Sequence, residues 1–199
     1  MSLKANIAVF ISGGGTNLQS LINASRAGRL SGKIVLVVSR SENAYGLQRA
    51  MRAGIDTFIY SPKKYLSREA AHADLVEMLE SHSVDYIALA GYLKMLPRPI
   101  VVKYRNRITN IHPALLPKYG GKGMYGHHVH EAVLAAGDRE SGVTVHLVDE
   151  IYDHGRILLQ RKVPVLADDT PETLAARVLQ VEHEIYPEAL ENLIQGKYT

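Results

Sequence analysis

The 199-residue chain contains no cysteine. That removes disulfides, thiolate zinc sites and thiol nucleophiles together, and it fits a reducing cytosol. It also lacks any run of about 18 apolar residues, the length a membrane-spanning helix needs, and no secretory h-region stands near Met1–Asn6. The leading Met1, Ser2 and Leu3 read as an expression leader without structural weight. No run of Lys and Arg resembles a nucleic-acid arm. The formal charge of +3 is spread along the chain and suits small anionic ligands better than nucleic acid or membrane. Internal repeats are missing too, which excludes a solenoid.

What remains is an ordinary globular composition, 46% hydrophobic and 22% charged, in a chain long enough for one continuous core. Apolar runs alternate with helical patterns. Strands are expected at Asn6–Ile11, Lys33–Ser39, Thr57–Tyr60, Asp85–Ala90 and Arg107–Ile111. Helices are expected at about 17–27, 45–52, 67–81 and 97–104. Nearly unbroken apolar strands alternating with helices imply a parallel sheet covered on both faces. Right-handed crossovers then give a doubly wound, Rossmann-like α/β fold. Gly142–Val148 and Ile157–Val165 alternate more and read as an antiparallel extension. Thr170, Pro171 and Glu172 start a last helix that should run to about Tyr186 and break at Pro187.

Ser12-Gly13-Gly14-Gly15-Thr16-Asn17 falls where the first strand turns into the first helix, a position suited to an anion. A dinucleotide is disfavoured, because Leu18 stands where a third glycine belongs and Ser39-Arg40 where an acid belongs. No Gly-Lys-Ser/Thr follows, so a Walker loop fails as well. A single phosphate, or one phosphate and its ribose, remains, against a tight turn that binds nothing.

Asn110 and His112 are two apart on a strand and share a face, so amide and imidazole can converge on an oxyanion. Alone, His112 could equally be a satisfied structural histidine. The loop 149–155 offers a carboxylate from Asp149, Glu150 or Asp153, and spacing does not choose among them. A carboxylate beside His112 would raise its pKa and favour imidazolium.

Ser12–Asn17, Ala90–Leu96, Asn110-Ile-His-Pro-Ala-Leu-Leu-Pro-Lys-Tyr119 and Val181-Glu-His-Glu-Ile-Tyr-Pro187 resemble, in order and over essentially the whole chain, the folate-dependent phosphoribosylglycinamide formyltransferases. The resemblance implies one formyltransferase domain over 1–199, with a phosphate-binding α/β half at about 1–105. A catalytic and folate-binding half would follow at about 106–199. It implies 10-formyltetrahydrofolate as cosubstrate, glycinamide ribonucleotide as acceptor, a cytoplasmic enzyme of purine synthesis, and no metal. Gly15, Thr16, Asn17 and Glu182 would hold phosphate and ribose. Arg68, Leu93, Lys94, Met95, Leu96 and Asn110 would meet the folate. Asn110, His112 and Asp153 would be catalytic; Asp153 is chosen because Gly155-Arg-Ile-Leu-Leu-Gln160 follows it as in the family. A homodimer is compatible with the pattern.

Gly120–Gly126 is longer than in better-known members and is expected to form a mobile loop beside the site. His127, His128 and His130 invite a metal reading, but adjacent histidines on a helix face different ways. His146 is expected to be either a partner of the trio or a core residue. Lys103, Arg105 and Arg107 read as solvated surface. A formyl-folate hydrolase would carry an extra N-terminal domain and a transfer-RNA formyltransferase an extra C-terminal one; neither is expected here. A non-catalytic sugar-phosphate binder would have no use for the trio.

Overall fold

The computed structural model describes residues 5–198. The proposed leader, Met1 to Leu3, lies outside the described residues. The chain runs β1 (Ala5–Ile11), α1 (Thr16–Arg26), β2 (Gly32–Ser39), α2 (Tyr45–Ala53), β3 (Asp56–Ile59), a 3-10 turn (Pro62–Lys64), α3 (Arg68–Ser81) and β4 (Tyr86–Leu89). It continues through α4 (Arg98–Lys103), β5 (Ile108–His112), α5 (His127–Ala135), β6 (Glu140–Leu147), β7 (Ile157–Pro164) and α6 (Pro171–Ile194). All seven strands form one sheet in the order β3-β2-β1-β4-β5-β6-β7. The first five pair in parallel, whereas β6 runs antiparallel to β5 and β7 antiparallel to β6. This is the doubly wound sheet with an antiparallel extension that the apolar runs imply.

β1 shows why its apolar run is unbroken. Ile7, Val9 and Ile11 enter one core with α1 and α6 residues such as Leu18, Leu21, Ile185 and Tyr186. Ala8 and Phe10 enter a second core on the opposite face with Leu75 and Leu79 of α3 and Ile100 of α4. A strand buried on both sides has no polar face to show.

α6 corrects one expectation. The helix continues through Pro187 to Ile194. Proline there removes one backbone hydrogen bond and crowds the preceding turn. Ile185, Tyr186, Pro187, Ala189 and Leu190 are nevertheless all buried, so packing on both sides of the proline outweighs the local penalty. The start of the helix is as expected: Thr170 and Thr173 exchange hydrogen bonds in a capping box, with Pro171 in the first turn. Further along, the buried Tyr186 hydroxyl donates to the Leu89 carbonyl at 3.0 Å and lies 3.3 Å from the Thr109 carbonyl. One phenol thus joins α6 to the end of β4 and the start of β5.

Because β1 neighbours both β2 and β4, the order of connection reverses beside it. The loops leaving β1 and β4 diverge there, which is where open α/β sheets form their ligand crevice.

Candidate active site

A cleft of about 1000 Å³ opens at that reversal. Its lining draws on the loop after β1 (Ser12 to Asn17), the segment Leu89–Leu96, the end of β5 (Asn110 to Pro113) and the loop Gly121–Gly126. Arg98, Val101, His146, Val148 to Asp153, Leu179 and Glu182 complete it. The glycine loop, the segment after β4 and the polar residues of β5, distant in sequence, therefore face one space.

In the glycine loop only Gly15 is forced by the backbone. It adopts φ 71°, and a Cβ there would come within 2.7 Å of the Gly46 Cα at the start of α2. Gly13 and Gly14 meet nothing within 4 Å, so their lack of side chains leaves room on the cleft side. α1 begins at Thr16 without a side-chain cap, leaving its first N–H groups available to an anion. Asn17 donates to Glu182 Oε2 at 2.6 Å, while its own Oδ1 is buried without a partner. Burial pushes the Glu182 carboxyl up to about 7, against the pull of the Asn17 amide.

The segment after β4 is held by Tyr92, whose ring meets Phe10 edge-on at 5.4 Å, and by the Leu93 N–H, which donates to Ser12 Oγ at 3.0 Å. Leu93 and Met95 are 47% and 46% exposed, so apolar surface faces the cleft while Leu96 is buried beneath it. Lys94 lines the same wall. Arg68 does not: it is an exposed residue in the first turn of α3 and is not among those lining the cleft. Arg98, which sequence reading passed over, lines it instead and pairs with Glu150 at 2.9 Å. Its signal was its place two residues beyond Leu96.

Asp153 gathers the polar cluster. Its Oδ2 accepts from the Gly121 N–H at 2.9 Å and lies 3.7 Å from His112 Nδ1. Its Oδ1 lies 3.4 Å from the Asn110 amide nitrogen and 3.6 Å from His146 Nε2. Asp149 turns elsewhere, to His154, and Glu150 to Arg98. Asp153 has φ 53°, a left-handed backbone that aspartate tolerates better than most residues. His146 faces Asn110 directly across the β5–β6 ladder, so it belongs to the cluster rather than only to the core.

Carbonyl contacts fix the imidazole protons. His112 Nε2 lies 2.8 Å from the Tyr119 carbonyl and His146 Nδ1 lies 2.8 Å from the Leu147 carbonyl. A carbonyl only accepts, so both nitrogens carry hydrogen. In the neutral rings His112 Nδ1 and His146 Nε2 then present lone pairs toward Asp153. The cluster therefore has more acceptors than donors.

One electrostatic expectation is corrected. Burial holds the His112 imidazole below its ordinary value, outweighing the upward pull of Asp153 and the Tyr119 carbonyl, with His146 adding a small downward push. For Asp153 the balance runs the other way. Burial alone would raise its carboxyl, but the His146 and His112 rings, in so far as they carry a second proton, and the Gly121 N–H bring it below the usual carboxylate range. The starting state is a neutral imidazole beside a carboxylate, not a preformed imidazolium.

The loop after Tyr119 reaches this cluster through Gly121, and Gly121, Gly123 and Gly126 all have positive φ. His127 and His128 both reach Glu131 at 3.2 Å, whereas His130 is buried. Among the described residues no group of three potential ligands stands close enough to hold a metal ion.

A strand-end amide and imidazole, an inward carboxylate and an uncapped glycine turn surround one cleft on a Rossmann-like sheet, an arrangement suited to acyl-group chemistry. The chain belongs to the formyl transferase family, which it matches over residues 5–190. It is 40% identical over 192 residues to the phosphoribosylglycinamide formyltransferase of Escherichia coli (strain K12), covering 96% of this chain and 88% of that one. Identity to the chloroplastic phosphoribosylglycinamide formyltransferase of Vigna unguiculata is 47% over 194 residues, covering 98% of this chain. That match takes in 62% of the plant protein, so the chain spans less than two thirds of that relative's length. Glycinamide ribonucleotide transformylase 1 from Symbiobacterium toebii superposes with a TM-score of 0.89 at 43% identity, over 96% of this chain and 88% of that one.

Proposed function

We propose that this chain transfers the formyl group of 10-formyltetrahydrofolate to the amine of 5-phosphoribosylglycinamide. The products are formylglycinamide ribonucleotide and tetrahydrofolate, in de novo purine synthesis in the cytoplasm. The observation that carries the reading is the meeting of Asn110, His112 and Asp153 in one cleft with the glycine loop and the Leu93–Leu96 wall. An uncapped helix start suits a phosphate, Asn17 with the buried Glu182 suits a ribose, and half-exposed Leu93 and Met95 suit an aromatic bicycle. The residues at about 1–105 carry the phosphate cradle and the Leu93–Leu96 wall; those at about 106–199 carry the catalytic cluster, with Asn110 shared between catalysis and the folate. Both partners are small molecules; a homodimer is compatible with the reading. No helix among the described residues is long and apolar enough to cross a membrane.

The chemistry follows from the proton inventory. A neutral amine attacks the formyl carbon, and the carbonyl oxygen becomes an oxyanion as the nitrogen becomes positive. One Asn110 amide N–H, held only at 3.4 Å by Asp153 in the resting cluster, turns to the oxyanion and stabilises it, while His146 keeps the other. The amine proton passes to the acceptor-rich cluster, where His112 takes it at Nδ1 and Asp153 stabilises the imidazolium. That proton then goes to N10 of the folate as the oxyanion re-forms the carbonyl and the C–N10 bond breaks, and the neutral imidazole beside the Asp153 carboxylate is restored. Contacts of 3.4–3.7 Å around Asp153 are loose for hydrogen bonds, and in enzyme sites such contacts tighten in the reacting complex.

The test is an assay with purified protein, 10-formyltetrahydrofolate and glycinamide ribonucleotide. Folate consumption that depends on the ribonucleotide supports transfer. Consumption without it would make the chain a hydrolase, and ribonucleotide binding with no turnover would make it a binding module.

A further inference from the structure

We infer that Lys122, at the tip of the Gly120–Gly126 loop, grips a multiply charged oxyanion of one substrate, either a phosphate or a glutamyl carboxylate group. The inference rests on the proposed function, since it is that reaction's substrates that bring such anions to this cleft.

Local geometry puts the lysine there. The Met124 N–H donates to the Gly121 carbonyl at 3.1 Å, and Gly123 between them has φ 93°. A glycine in the left-handed region at the third place, closed by a bond from fourth to first, is the pattern of a type II turn. Lys122 therefore occupies the corner of the turn, where a side chain projects outward. The turn is tethered at its base by the Gly121 N–H on Asp153 Oδ2, at 2.9 Å. The residue that follows this anchor carries a side chain about 6 Å long, exposed and lining the cleft.

Charge around the cleft makes the case specific. Three lysines and arginines line it: Lys94, Arg98 and Lys122. Arg98 is neutralised by Glu150 at 2.9 Å. Among the described residues neither Lys94 nor Lys122 has a carboxylate within ion-pairing distance. The same cleft is lined by Asp149 and Asp153, with Glu182 partly ionised near neutral pH and Glu150 already paired, so a dianion entering it meets repulsion unless a free cation reaches it. Lys94 stands on the wall formed by the segment after β4. Lys122 enters the lining from a different segment, on a glycine turn, so its long side chain can follow an anion without distorting the catalytic cluster. A lysine, a flexible point charge, suits that use better than a planar guanidinium.

The experiment measures equilibrium binding by calorimetry for the full chain and its Lys122→Gln and Lys122→Arg variants. The ligands are glycinamide ribonucleotide, tetrahydrofolate monoglutamate and tetrahydrofolate triglutamate. A charge-assisted contact predicts that Lys122→Gln raises one dissociation constant about tenfold. Lys122→Arg restores most of that loss, and Tm is unchanged in both variants. If the ribonucleotide is the weakened ligand, the anion is its phosphate. If only the triglutamate loses its advantage over the monoglutamate, the anion is the folate tail. Lys122→Gln binding all three ligands as the unmodified chain does overturns the inference and leaves the proposed function standing. An unmodified chain that binds none of them overturns both.

Discussion

Asn110 and His146 stand opposite each other on β5 and β6, with the amide nitrogen 3.2 Å from His146 Nε2. Since His146 Nδ1 carries its hydrogen to the Leu147 carbonyl, Nε2 must accept, and the Asn110 amide is oriented with its nitrogen toward β6 and its oxygen away. Replacing His146 by phenylalanine frees the amide to flip. One hydrogen bond's worth of orientation predicts a fall in kcat of about tenfold, with KM for both substrates little changed. Steady-state kinetics on H146F decides it: an unchanged kcat would mean that Asn110 is oriented by Asp153 alone.

His112 has a sharper expectation. Removing a group that stabilises the developing charge costs about 10²–10³ in turnover. His112→Ala should lose that much in kcat while calorimetry still detects ribonucleotide binding, because the glycine turn and Glu182 are untouched. Loss of binding in step with turnover would place His112 in substrate recognition instead.

The buried Glu182 gives a pH signature. Its carboxyl sits at about 7 in the folded chain against 4.5 unfolded, so between those values the folded state binds the extra proton. A raised acid contributes stability at low pH that is lost as pH climbs through 7. A shift of that size corresponds to about 3 kcal/mol. Relative to Glu182→Gln, the unmodified protein should therefore lose stability between about pH 4.5 and 7 and stay flat above. Urea midpoints across pH 5–8 measure it. His112, held below its ordinary value, acts oppositely: its burial favours the folded state more as pH rises toward 6.5. The comparison with E182Q cancels that background.

Two glycines of one turn should behave differently. Gly15→Ala puts an L side chain at φ 71° and a methyl 2.7 Å from the Gly46 backbone. The left-handed conformation alone costs about 1–2 kcal/mol, and a Tm drop of several degrees is expected. Gly14→Ala meets no protein atom within 4 Å. It should leave Tm unchanged and raise KM for the ribonucleotide only, through lost space for the ligand. Equal Tm losses in both would remove the argument that Gly14 is kept small for a guest.

The sequence makes the sheet legible because β1, β2 and β4 are buried on both faces and have no choice but continuous apolar residues. α6 is misread at Pro187, since a local rule about proline says nothing of the burial of Ala189 and Leu190 beyond it. In the site, Asn110 and His112 are readable from a period of two. Asp153 is not readable by spacing, because loop residues have no period. Its choice over Asp149 and Glu150 depends on a left-handed turn and on Gly155, where a Cβ would overlap the Leu147 carbonyl. The depressed pKa of His112 is hidden for a related reason: a neighbour can be guessed from sequence, but depth of burial cannot.

Tyr186 carries a last implication. Its hydroxyl rivets the closing helix to the tips of two central strands, one leading to the Leu93–Leu96 wall and the other to Asn110 and His112. The C-terminal third is therefore a keystone rather than a lid. Tyr186→Phe, which deletes a single oxygen behind the cleft, should loosen the alignment of the Leu93–Leu96 wall and the Asn110–His112 pair, which lie further along the strands it holds.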